Sequence, residues 1–252
     1  PDLDNCVNHV RYEPPQPLAG HVEHFWRVDW QLKAPRETQV IPHPSVQLTF
    51  ELGCWHVTGV HTGRWIRELE GDGWVFGVKF RPAAFRGFLT GPVSSLTDRV
   101  VPAASLFPDL PPRLIDGRQD DSKRIAAATQ YLLPRLRTLD ADAIRARELV
   151  GHVVHDREIR QVENLAELAG MSARNLQRLF YEYVGVSPKW VIQRYRLHEA
   201  LARIDEENKP DWADFALSLG YYDQAHFIRD FRRVVGQTPG QYARRSPRTA
   251  QT

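Results

Sequence analysis

The chain has 252 residues, 42% hydrophobic and 25% charged, with 33 Lys and Arg set against 31 Asp and Glu. That is enough for one large or two ordinary cores, while the two cysteines, Cys6 and Cys54, exclude a disulfide framework. No apolar run approaches the roughly 20 residues of a membrane span and no signal peptide opens the chain, so a cytoplasmic protein with no membrane partner is expected.

The front half reads as strands. Val22, Trp26, Val28, Trp30 and Leu32 occupy even positions, with Glu23, Arg27, Asp29 and Gln31 between them. The same period of two recurs in Val46, Leu48, Phe50, Leu52 and again in Trp74, Phe76, Val78, Phe80. Such alternation predicts strands with one buried face. Several short antiparallel strands with no long helix among them predict a small β barrel or sandwich. Five of the seven tryptophans lie in this half, among them Trp65. They read as barrel core, or else as an aromatic effector pocket formed by Trp26, Trp30, Trp55 and Trp74 with His43. His43, Cys54, His56 and His61 have no strong metal spacing, so no metal and no other cofactor is expected.

Prolines and a polar run from Pro108 to Asp121 mark a boundary. Beyond it Ile125, Ala128, Leu132 and Leu136 keep helical spacing, interrupted by Pro134, and a second helical stretch follows near Ile144 to Val154. The predicted division is therefore α+β: a β-rich part over 1–110, linking helices over 111–155, and an all-α part over 156–246. The linking helices either pack on their own chain or pair with a second copy.

From Val162 onward the pattern is helical with short turns. Leu165, Ala166, Leu168 and Ala169 mark a short helix stopped by Gly170, and Ser172 can cap the next helix, which runs to about Val184. Helix, short turn, helix is the helix-turn-helix pattern. The pattern then repeats. A shift of 51 positions carries Leu176 to Phe227, Arg178 to Arg229, Phe180 to Phe231, Gly185 to Gly236 and Pro188 to Pro239. Charge follows the repeat: six basic residues face two acids over 174–203, six arginines face one acid over 229–248, and the segment between them is acidic. A phosphate backbone attracts the two basic runs.

On a helical wheel Leu176, Leu179, Phe180 and Tyr183 gather on one side, opposite Arg174, Arg178 and Tyr181, with Gln177 on the flank. In the second copy Phe227, Phe231, Val234 and Val235 gather opposite Ala225, Arg229 and Arg232, with Gln224 and His226 at the helix start. Outward Arg and Gln carry the forked donors that suit G O6/N7 and A N6/N7. Ser187-Pro188 opens a helical run to about Asn208. Such a helix, roughly 30 Å long, nearly matches the 34–36 Å helical turn of a duplex.

These residues resemble the AraC/XylS family of bacterial transcription regulators. Leu165–Phe180 (LAELAGMSARNLQRLF) is similar to its first helix-turn-helix, and Ala216–Tyr242 (ALSLGYYDQAHFIRDFRRVVGQTPGQY) to its second. The second stretch includes the Gly-x-Thr-Pro-x-x-Tyr ending, and the resemblance spans about Ile159 to Arg245. It implies that Arg174, Gln177 and Arg178 reach bases or phosphates in one groove of double-stranded DNA, and Gln224, Ala225, His226 and Arg229 in the next. Ala225 departs from the polar residue common there. The resemblance further implies a cupin-like front domain that binds a small-molecule effector or forms a homodimer. It implies a regulator that is no enzyme, and activation through RNA polymerase more than repression. The competing readings are a metal-dependent cupin enzyme or DNA-repair protein tethered to DNA, and an adaptor using the helices for protein contacts.

Overall fold

The computed structural model describes residues 5–206 and 211–245. Six strands, β1 (Asn5–Tyr12), β2 (Val22–Val40), β3 (Gln47–Glu51), β4 (Cys54–Thr58), β5 (Trp65–Phe80) and β6 (Val100–Pro102), form one antiparallel sheet. Their order is β1-β2-β5-β3-β4-β6. This corrects the expected barrel or sandwich. The two end strands β1 and β6 have one partner each, β2 and β4, so the sheet stays open, and there is no second sheet among the described residues. The physical reason lies in what covers the buried face. Loops bearing Leu18, Phe85 and Phe107, and the helix α1 (Asp121–Leu132) with Ala128 and Leu132, fill that core with Phe25, Leu48, Phe76 and Phe80. A face sealed by helix and loops needs no closure onto further strands. Alternation shows that a face is buried, not by what.

A one-residue bulge decides which way β2 faces. Val22 pairs with Phe80 but His24 with Lys79, so an extra residue enters β2 between them. Phe25 therefore points into the core, fully buried. Trp26, Val28 and Trp30 fall on the other face, paired with Gly77, Val75 and Gly73. The Trp26 and Trp30 indoles lie against Gly77 and Gly73, where an added Cβ would overlap the rings.

The helical half holds two further cores. In one, α2 (Ala141–His155), α3 (Val162–Leu168), α4 (Ala173–Tyr183) and the start of α5 (Pro188–Glu206) meet through Leu149, Val153, Leu165, Leu176, Phe180 and Val191. In the other, the rest of α5 meets α6 (Trp212–Ser218), α7 (Gln224–Val235) and α8 (Pro239–Arg245) through Leu197, Leu201, Phe215, Phe227 and Phe231. One helix, α5, thus belongs to both.

The front half, mainly through its loops, touches each helical core. Thr62 carbonyl accepts from Trp190 Nε1 at 3.3 Å and Arg194 Nη2 at 3.1 Å, both on α5. Arg86 Nε lies 2.7 Å from Glu182 of α4, and Thr97 donates to the Gly185 carbonyl just beyond it. Gln39 donates to the Val234 carbonyl of α7. His43 stacks on His198 of α5 with ring centroids 4.1 Å apart. Burial of both rings disfavours their charged forms, pushing His43 down to about 2 and His198 to about 4.

Candidate nucleic-acid interface

Both helix-turn-helix units are made by the same local devices. Gly170 after α3 and Gly220 after α6 take the left-handed conformation, with φ of +60° and +80°, and end those helices. Ser172 then caps α4 through the Asn175 amide, and Asp223 caps α7 through the His226 amide. The turn between α6 and α7 is one residue longer than that between α3 and α4. After each second helix a left-handed glycine recurs, Gly185 (φ +94°) and Gly236 (φ +81°), and Pro188 and Pro239 open the following helices. The repeated Gly-x-Ser/Thr-Pro is therefore a stop followed by a start.

Each second helix is sorted into two faces. In α4, Leu176, Leu179 and Phe180 are buried while Arg174, Gln177, Arg178 and Tyr181 are exposed. In α7, Phe227, Phe231, Val234 and Val235 are buried while Gln224, Ala225, Arg229 and Arg232 are exposed. Among the described residues no hydrogen bond or ion pair engages the side chains of Arg174, Gln177, Arg178, Arg229 or Arg232. His226 differs from these. Its ring stands edge-on to Tyr221 at 5.3 Å and its Nε2 is 3.7 Å from Asp230.

The basic run over 174–203 is less outward than its count implies. Arg194 and Arg196 are 3% and 6% exposed. Arg196 donates to the carbonyls of Arg157 and Ile159, at 2.8 and 2.7 Å, and so ties α5 to the segment entering α3. Arg194 lies over the Trp190 ring at 4.5 Å, and desolvation pulls its pKa down to about 10. Both are braces. Their signal was present in the sequence: Trp190, Arg194, Leu197 and Leu201 share one helical stripe, and Ile192, Arg196 and Ala200 another.

The five front residues read as an effector pocket do not converge. Trp55 and Trp74 belong to the sheet core, Trp74 beneath the Arg124 guanidinium at 4.4 Å. Trp26 and Trp30 lie on the opposite face, and His43 sits at the junction with α5. An open groove of about 400 Å³, which sequence reasoning missed, runs instead between Phe88, Leu106, Phe107, Asp109, Arg135 and Leu136. Among the described residues no three His, Cys, Asp or Glu side chains gather to hold a metal, and no helix is long and apolar enough to cross a membrane.

Residues 165–245 match a family model described as a helix-turn-helix domain, and residues 10–102 match a domain of unknown function (DUF6597). An uncharacterized HTH-type transcriptional regulator of Haemophilus influenzae is 36% identical over 81 residues, 32% of this chain and 27% of the relative. The XylDLEGF operon transcriptional activator 1 of Pseudomonas putida is 34% identical over 86 residues, 33% of this chain and 26% of the relative. The RCS-specific HTH-type transcriptional activator RclR of Escherichia coli is 36% identical over 84 residues, 33% of this chain and 29% of the relative. The chain thus spans about a quarter to a third of the length of these curated relatives. Among solved structures, an AraC-type regulator from Chromobacterium violaceum is 21% identical, with 41% of this chain and 96% of that chain covered and a TM-score of 0.36.

Proposed function

We propose that the chain is a transcription regulator of the AraC/XylS type that binds specific sites in duplex DNA, a reading supported by the helix-turn-helix domain match over residues 165–245 and the 34% identity to the Pseudomonas putida activator over 86 residues. The observation that carries this reading is the sorting of α4 and α7. Each buries an apolar face and leaves Arg and Gln side chains outward, and among the described residues Arg174, Gln177, Arg178, Arg229 and Arg232 have no hydrogen-bond or ion-pair partner. Arg178 and Arg229, related by the repeat, would each enter a major groove. The 19 residues of α5 make a strut about 28 Å long, close to one helical turn of DNA. The outward residues Arg174, Gln177, Tyr181, Gln224, Ala225 and Arg232 complete the proposed contact surface.

The proposed organisation keeps 1–110 as the regulatory part, 111–155 as linking helices and 156–246 as the DNA-binding part. Its proposed output is activation, as the names of the Pseudomonas and Escherichia relatives support, and the proposed route is contact with RNA polymerase. A small-molecule effector or a second copy acting on the front sheet has a route to the reading helices through the Thr97, Arg86 and Gln39 contacts.

Arg178→Ala and Arg229→Ala are each expected to weaken binding to a selected site by about 1–3 kcal/mol. Affinity should also fall steeply between low and moderate salt. Unchanged specific affinity in both variants, measured by fluorescence anisotropy, would remove the groove assignment.

A further inference from the structure

The two reading helices are not equivalent in what they offer a duplex. Position by position, Arg174 of α4 corresponds to Ala225 of α7, Asn175 to His226, Gln177 to Ile228, Arg178 to Arg229 and Tyr181 to Arg232. In the first two turns α4 exposes Arg174, Asn175, Gln177 and Arg178, four side chains able to bond base edges, and it has no basic residue in its last turn. In α7 the corresponding region is largely spent. Ala225 has no polar group, His226 is held by Tyr221 and Asp230, and Ile228 is half-buried against the third core. Gln224 and Arg229 remain. Beyond Arg229, α7 adds two exposed basic residues in its last turn, Arg232 and Arg233, the latter within 3.3 Å of Asp230 but still largely solvent-exposed. The caps differ in the same sense, a neutral Ser172 against the carboxylate of Asp223.

Residues near the start of a recognition helix reach base edges, and arginines away from the groove floor meet phosphates, which fix position without reading sequence. Resting on the DNA-binding reading above, we infer that base discrimination is carried mainly by α4, through Arg174, Asn175, Gln177 and Arg178. The second unit acts chiefly as a phosphate anchor, through Arg232 and Arg233. Asn175 and Arg233 gain roles here, and His226 becomes a residue that positions Asp230, not one that reads a base. Asp230 in turn accepts from Gln193 of α5 at 3.3 Å, which ties the second reading helix to the strut.

The experiment is selection of bound sites from a random duplex pool with the full chain, repeated with Arg178→Ala and Arg229→Ala. Whichever half of the motif each variant blurs is assigned to its helix. The expected motif has two halves of unequal sharpness, the sharper one blurred by Arg178→Ala. On the selected site, Arg174→Ala and Gln177→Ala should each cut discrimination at one or two base pairs by about tenfold. Arg232→Ala and Arg233→Ala should weaken all sequences alike and each lower the log-affinity against log-salt slope by about one. Thermal melting of the four variants separates contact loss from unfolding. Two halves of equal sharpness, or a sharper half assigned to α7, overturn the inference while the DNA-binding reading stands. Failure to enrich any sequence overturns both.

Discussion

The front sheet and the helical half sort polar from apolar residues by different means. In α4 and α7 the sorting is local. The cap, the glycine stop and the 3.6-residue period lie within a dozen residues of one another, so the wheel places Leu176, Phe180, Phe227 and Phe231 inward, where the structure has them. In β2 the sorting depends on pairing with β5, and one extra residue at the bulge exchanges the two faces. Helix faces survive such an insertion elsewhere in the chain. A strand's faces do not, because its period is two.

The largest test of this contrast is truncation of the core. Phe25→Ala and Phe227→Ala, both at fully buried positions, should each cost about 3–5 kcal/mol in urea unfolding. Val28→Ala, on the opposite face of β2, should cost well under half as much. An equal or larger loss at Val28 would mean that β2 faces the other way.

Gly77→Ala comes next. The new methyl would meet the Trp26 indole, and overpacking of this kind costs about 1–3 kcal/mol. Trp26→Leu in the same chain should recover most of that loss. If the single variant is as stable as the parent, the indole does not rest on the glycine.

The last test is the pH dependence of the contact between the halves. His43 and His198 titrate at about 2 and about 4 in the folded chain, below the ordinary 6.5. Between pH 6.5 and 4 the unfolded chain takes up protons that the folded one refuses. Stability is therefore complete above pH 6.5 and falls as the pH drops through that window, by up to about 1.4 kcal/mol per pH unit for each proton. His198→Gln should flatten the dependence measured by urea melts at pH 7, 6 and 5. An unaltered slope in the His43→Gln, His198→Gln double variant would show that other groups govern it.

The sequence by itself determined the helix-turn-helix repeat, its caps and stops, and the outward faces bearing Arg174, Gln177, Arg178 and Arg229, because short-range backbone chemistry and helical period suffice for these. It also marked the front half as strands with a buried side. Only the tertiary structure decided that the sheet stays open, that α1 joins the first core and α2 the second, and that Arg194 and Arg196 turn inward. Those outcomes depend on which distant segment covers a surface, and no local spacing carries that information.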